Sequence, residues 1–227
     1  MRRFWFFVKE IFDKIVSFVA LVILLPIFLV VAILIKIDSK GAVFFRQERV
    51  GKNGKIFKPF KFRTMITGAD EKTKGIYIDK ENPYVTRVGK FLRRSGIDEL
   101  PQVINVLKGD MSFVGPRPTL QYQVEKYNDF QKKRLLMKPG ITSWALIHGR
   151  NKLTWPERIE YDVWYVERWN FWFDIKILFK TVWVVAKGEG LYAGRETDEI
   201  AKMAEGEKLY VERKTDKKIA KIDDNEK

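Results

Sequence analysis

Arg93-Arg94-Ser95-Gly96-Ile97-Asp98-Glu99-Leu100-Pro101-Gln102 is the stretch from which the rest of the chain is read. Two neighbouring carboxylates stand just before a proline, with two guanidinium groups a few residues upstream. The apolar spacing of Val103, Ile104, Val106 and Leu107 predicts a short helix that Gly109 ends. Ser95 or Asp98 is the expected cap, and Pro101 suits the first turn, where its missing N–H is not needed. Asp98 and Glu99 then lie at the positive end of the helix dipole, which favours the ionised carboxylate. Acids are common at such positions, so the segment alone fits a plain helix start as well as it fits chemistry. The chemical alternative is an anionic nucleophile or metal ligand held beside arginines that bind phosphate.

Composition narrows the choice. The chain has 227 residues, a formal net charge of +14 and 14% aromatic residues, a combination suited to nucleic acid, an anionic membrane or phosphorylated substrates. It has no cysteine and a single histidine, His148. Disulfides, thiolate chemistry and multi-histidine metal sites are therefore excluded, and acid–base or covalent work falls to carboxylates, hydroxyls or lysines. His148 reads as structural or solvated.

Upstream, Ile15 to Ile35 is apolar except for Ser17, with Pro26 near its middle. A helix over this run is roughly 32 Å long, close to the hydrocarbon thickness of a bilayer. It is long for a signal peptide, and no small-residue cleavage site follows. Arg2, Arg3, Lys9 and Lys14 precede it, and Lys36, Lys40, Arg46 and Arg49 follow. Basic flanks on both sides prefer the cytoplasm, and Pro26 can bend a helix sharply. On these residues alone, a spanning helix with a tolerated proline remains the preferred reading over a bent one.

Between the two regions, Val43 to Gln47 and Lys55 to Phe57 flank Gly51-Lys52-Asn53-Gly54, which predicts a β-hairpin. Phe60-Lys61-Phe62-Arg63 alternates aromatic and cationic residues, as a half-buried strand or a nucleic-acid-binding strand would. Gly68 to Pro83 is expected to be an exposed loop. Downstream, Gly115-Pro116-Arg117-Pro118 holds Arg117 between two rigid residues, where it can meet phosphate at reduced entropic cost. Glu125 to Lys138 reads as one charged surface helix ended by Pro139-Gly140. Arg150 is a further candidate anion binder. The rings from Trp155 to Phe173 suggest a membrane-interface belt, and Phe171 to Val185 an amphipathic helix on the bilayer or under the domain. Asp162 has no obvious local partner. Beyond Gly188 the chain is charged and reads as a helical or disordered tail.

Taken in order, the motifs resemble those of the bacterial sugar transferases, small monotopic polyprenyl-phosphate phosphoglycosyltransferases. The matching pieces are Lys9 to Asp13, Lys61-Phe62-Arg63-Thr64-Met65, Ile97 to Gln102, Asn105 to Pro118, Lys138 to Thr142, and Asp162 to Tyr165. The resemblance implies an α+β, mainly helical fold: a re-entrant membrane helix broken at Pro26 (1–40), a cytoplasmic domain with a small β-hairpin and interfacial helices (41–188), and a charged tail (189–227). It reverses the preference for a spanning helix. Leu25 departs from the serine that often precedes this proline in the family. The resemblance further implies transfer of a phosphosugar from a UDP-sugar to polyprenyl phosphate with Mg²⁺, at the cytoplasmic face of the bacterial inner membrane. Asp98 would be the nucleophile and Glu99 its helper, through the metal or as proton acceptor. Lys61, Arg93, Arg117 and Arg150 would be cationic site residues and Asp162 an acidic one. Arg63, from the same strand as Lys61, is a further candidate phosphate binder. Membrane phospholipids are expected partners, nucleic acid is not, and a homodimer stays open. The alternative is a membrane-tethered nucleic-acid binder or a scaffold without turnover.

Overall fold

Helix α1 (Arg2–Asp38) takes in the whole apolar run with its basic N-terminal flank and continues through Pro26. The structure is a computed structural model and describes residues 2–69, 82–149 and 152–187. At 1.5 Å per residue α1 is roughly 55 Å long, more than one bilayer core requires. Its apolar side chains fall on two faces. Phe28, Val31 and Ile35 are buried against Phe62, Leu92 and Val103. Phe18, Val22, Ile23, Leu25, Leu29 and Ile33 are all more than half exposed. An exposed apolar face of that extent suits lipid, not water.

Both ends of α1 are tied to the same body. Near the N-terminus, Arg2 Nη2 donates to the Val166 carbonyl at 2.7 Å, and Lys9 forms a buried ion pair with Asp174. Asp174 also accepts from the Tyr165 hydroxyl (2.6 Å) and Trp169 Nε1 (3.0 Å), so the buried charges are matched by hydrogen bonds as burial demands. At the other end, Asp38 Oδ2 accepts from the backbone N–H of Val88 at 3.0 Å. Arg63 donates to the carbonyls of Ser39 (2.8 Å) and Lys40 (2.7 Å).

Among the described residues, three two-stranded sheets connect the helices. β1 (Phe44–Phe45) pairs antiparallel with β4 (Lys61–Phe62). β2 (Arg49–Val50) pairs antiparallel with β3 (Ile56–Phe57). β5 (Ser112–Val114) runs parallel to β6 (Gly140–Thr142). The predicted hairpin is therefore present with a different register. The turn at Lys52–Gly54, where Asn53 has φ 55°, joins Val50 to Ile56, and the 43–47 stretch pairs with Lys61–Phe62 instead. Gly140 is needed where β6 meets β5, because a Cβ there would lie 2.1 Å from the Gly115 nitrogen.

The helical part holds α2 (Arg87–Ser95), α3 (Val103–Lys108), α4 (Gln121–Val124), α5 (Asp129–Lys132), α6 (Trp144–Ile147), α7 (Trp155–Arg168) and α8 (Phe171–Lys187). The expected single helix over Glu125 to Lys138 is broken. Asn128 starts a new helix by accepting from the Gln131 N–H at 2.9 Å, and a 3₁₀ turn at Lys133–Leu136 follows with Arg134 buried. The aromatic run is corrected as well. Trp144, Trp164, Tyr165 and Trp169 are core residues, with Trp144 stacked on Trp164 at 5.2 Å and Phe6 of α1 stacked on Trp169 at 4.0 Å. The rings left outside are on α8, where Trp172, Phe179 and Trp183 are exposed while Asp174 and Ile177 face inward. That matches the amphipathic helix expected there. The molecule is thus mainly helical with small sheets. The tail 189–227, Arg150 and most of the 68–83 loop lie outside the described residues.

Candidate active site

α2 begins under the end of α1, with Thr86 Oγ1 capping it by accepting from the Gly89 N–H at 3.0 Å. It ends at Gly96, whose φ of 73° is the left-handed conformation that glycine adopts without strain. This turn directs the chain straight into a 3₁₀ turn, Ile97–Gln102, which carries Asp98 and Glu99. The caps expected from sequence are not used. Ser95 Oγ bonds back to the Phe91 carbonyl (2.9 Å), and no side chain caps the turn. α3 starts only at Val103 and stops at Gly109 (φ 84°), as its spacing predicts.

Glu99 is held from two sides. Lys61 Nζ donates to its Oε1 at 2.6 Å. Arg117 donates from Nη2 to Oε1 (2.7 Å) and from Nη1 to Oε2 (3.2 Å), the two-pronged contact that suits a planar guanidinium. Lys61 reaches Glu99 because β4 alternates: Phe62 packs under α1 and Lys61 faces the other way. Burial alone would favour the neutral acid, but Arg117 and Lys61 outweigh it and hold the Glu99 carboxyl well below the usual carboxylate range. Glu99 in turn raises the pKa of Arg117.

Asp98 differs in every respect from its neighbour. It makes no hydrogen bond or ion pair among the described residues. Burial, and then the charge of Glu99, push its carboxyl up to about 6, against the pull of Lys61, Arg93 and Arg117. Two adjacent acids thus have their ionisation forced apart, a pattern typical of chemical sites and seldom needed for helix starts. Arg93, on α2, acts on Asp98 through its charge, while its Nε donates to Thr64 Oγ1 at 2.9 Å.

A model of the bacterial sugar transferase family matches residues 4–188. The chain belongs to this family. The undecaprenyl-phosphate galactose phosphotransferase of Salmonella typhimurium is 38% identical over 200 residues, covering 82% of this chain and 42% of that protein. The UDP-glucose:undecaprenyl-phosphate glucose-1-phosphate transferase of Xanthomonas campestris pv. campestris is 44% identical over 181 residues, 76% of this chain and 37% of its own length. The uncharacterized sugar transferase EpsL of Bacillus subtilis is 43% identical over 183 residues, 81% of this chain and 89% of that protein. The chain therefore spans less than half of the first two relatives and most of the third.

Within this chain the other expected site residues divide. Lys61 and Arg117 bond Glu99, and Arg93 acts on Asp98 through its charge. Arg63 does not join them: it lies just past the end of β4, and its guanidinium is held by the Ser39 and Lys40 carbonyls. Asp162 is not at the acids either. It is buried in an ion pair with Arg134, and burial raises its pKa. Arg150 lies outside the described residues. His148 is structural, its Nδ1 2.9 Å from the Trp144 carbonyl and its ring stacked 5.2 Å from Tyr161.

Sequence reading missed Arg49. It hydrogen-bonds Gln47 Oε1 at 2.6 Å, and burial and the nearby charge of Arg117 lower its pKa to about 10. The backbone N–H of the next residue, Val50, donates to the Thr119 carbonyl at 2.9 Å, which ties β2 to the Arg117 segment. In the sequence Arg49 stands out only as one of the basic residues after the apolar run. Arg49, Lys61, Arg93 and Arg117 thus stand against Asp98 and Glu99, four cations to two acids. That excess suits a diphosphate.

The acids can also be asked whether they fit a divalent cation. Both oxygens of Asp98 lack partners among the described residues, and Glu99 Oε2 accepts one bond only. Magnesium is commonly held by one or two carboxylates, with substrate phosphates and water completing the shell. The donor set fits that ion.

Proposed function

We propose that this chain transfers a sugar 1-phosphate from a UDP-sugar to polyprenyl phosphate, with Asp98 as the nucleophile. The observation that carries the reading is the contrast between a clamped Glu99 and an unengaged Asp98 set in an excess of cations. Above about pH 6 Asp98 is ionised. One of its oxygens attacks the phosphorus that bears the sugar, the bond from that phosphorus to UMP breaks, and UMP leaves as an anion. The phosphosugar is then joined to the aspartyl carboxylate as an acyl phosphate. An oxygen of polyprenyl phosphate attacks the same phosphorus, the aspartyl oxygen leaves, and polyprenyl diphosphate-sugar is released. Two steps let one site meet a soluble donor and a lipid acceptor in turn.

Lys61, Arg93, Arg117 and Arg49 would neutralise the diphosphate that otherwise repels Asp98. Arg150 is a further candidate for that set. Glu99, held strongly on the ionised side, is a weak proton acceptor; its part is to fix Lys61 and Arg117. Mg²⁺, carried by Asp98 and Glu99, would withdraw charge from the diphosphate when bound. The activities of the Salmonella and Xanthomonas relatives support this substrate class, and with it a first membrane step in bacterial polysaccharide or other glycoconjugate assembly.

The membrane reading follows from α1. Its two ends are bonded to one domain, through Val166 and Asp174 at one end and Val88 and Arg63 at the other. Ends fixed to one body favour one side of a bilayer, which supports a re-entrant segment whose bend at Pro26 would leave the helix unbroken, with residues 41–188 at the cytoplasmic face of the inner membrane. The Phe60 to Arg63 strand gives little to a nucleic-acid reading, since both its cations bind inside the protein. The test is UMP release from a panel of UDP-sugars on adding polyprenyl phosphate and Mg²⁺. Release from at least one donor supports the reading; none from any donor, in membranes that retain the folded chain, refutes it.

A further inference from the structure

Behind the Pro116 to Thr119 segment lies a second charged cluster that makes no hydrogen bond or ion pair to Asp98 or Glu99. The Arg134 guanidinium reaches in three directions. It pairs with Asp162, donates from Nη2 to the Arg117 carbonyl at 2.9 Å, and donates from Nη1 to the Tyr127 hydroxyl at 2.6 Å. The Tyr127 hydroxyl donates onward to Thr119 Oγ1 at 3.4 Å. Residues 117 and 119, on either side of Pro118, are therefore both gripped from one side. The Arg117 side chain meanwhile reaches Glu99.

The ion pair is fully inside, with both side chains 1% exposed. Apolar residues of the same volume commonly stabilise a core as well as a buried ion pair does, so stability does not explain the choice. An apolar pair could not hold a backbone carbonyl, however, and Arg134 does.

We propose that Arg134, Tyr127 and Asp162 are positioning residues that fix the Arg117 backbone so its guanidinium meets Glu99 in the two-pronged geometry. The proposal rests on the transfer reaction above and deepens it: Asp162 acts through Arg134, at a distance from substrate. Arg134 lies on the 3₁₀ turn after α5 and Asp162 in the middle of α7, so the relay links the α7 scaffold to the site.

The test uses the full chain in lipid nanodiscs, assayed for UMP release, with Tyr127→Phe, Arg117→Lys and the double variant. A misplacement near 1 Å can slow chemistry about 100-fold, so Tyr127→Phe is expected to lower kcat by roughly tenfold or more, with donor KM changed less. In the Arg117→Lys background, where the two-pronged contact is already gone, the same change is expected to alter kcat by less than about twofold. Equal losses in both backgrounds, or no loss in either, overturn the proposal. Ile159→Val, in the small cluster that also holds Tyr127, controls for plain destabilisation. It is expected to lower Tm and leave kcat unchanged; a kcat loss matching that of Tyr127→Phe overturns the proposal. A second arm needs no turnover. In the structure of Tyr127→Phe the paired Arg117–Glu99 bonds are expected to open, and an unchanged contact overturns the proposal. If the parent chain releases no UMP, the transfer reading fails, while this second arm still decides the positioning one.

Discussion

Replacing Asp98 by asparagine should make the protein more stable at neutral pH while ending its chemistry. The folded state raises the Asp98 carboxyl from its ordinary 3.8 to about 6, so the fold binds that proton more tightly than the unfolded chain does. For an acid with a raised pKa, stability is greatest below the unfolded value and falls as pH rises through the folded one. At about 1.4 kcal/mol per pH unit, the rise corresponds to roughly 3 kcal/mol of strain once Asp98 is ionised. Asparagine keeps the shape and carries no charge, so it should recover most of that energy at pH 8. For a domain of this size the gain is roughly 6–12 °C in Tm. Glu99 acts in the opposite sense, its lowered pKa adding stability above its unfolded value that is lost as pH falls. That contribution is largely common to both proteins and drops out of the comparison. The assay is thermal unfolding of parent and Asp98→Asn in one detergent, from pH 8 down to pH 4. The difference should be largest at pH 7–8, shrink between pH 6 and 4, and vanish near pH 4. A variant less stable than the parent at pH 8, or a difference independent of pH, would refute the reasoning.

Glu99→Gln removes a charge that helps raise Asp98, so the acid limb of UMP release should move to lower pH. The maximal rate should also fall, because Lys61 and Arg117 lose their common anchor; a limb that stays or moves upward contradicts the assignment. Single cysteines placed near residues 5 and 40 should react with an impermeant maleimide from the same side of the membrane, given how both ends of α1 are bonded. Labelling from opposite sides would mean that α1 spans.

What the sequence reveals here is what is encoded locally. The apolar run to Ile35, the stop at Gly109 and the two-faced α8 each follow from spacing within a single element. The register of the hairpin was harder, because Val50 is also bonded to Thr119, a contact no local pattern announces. Arg134 looks like one more cation on a charged helix, and its burial is understandable only with Asp162, 28 residues on. The same holds for the rings after Trp155. Aromatic density fits an interface and a core equally well, and what separates them is the stacking of Trp164 on Trp144 and of Trp169 on Phe6 across the chain. Lys61 and Arg63 show the limit most sharply: two cations two residues apart, one at Glu99 and one closing the end of α1. Asp98 and Glu99 were legible as a pair, whereas their unequal surroundings required the folded contacts of Lys61 and Arg117.

The most direct measurement is intact and peptide mass spectrometry of the enzyme quenched during turnover with UDP-sugar and no acceptor. The account predicts one added sugar phosphate on the peptide containing Asp98, removed on adding polyprenyl phosphate and absent from Asp98→Asn. Turnover without that added mass, under kinetics requiring donor and acceptor to be bound together, would contradict it.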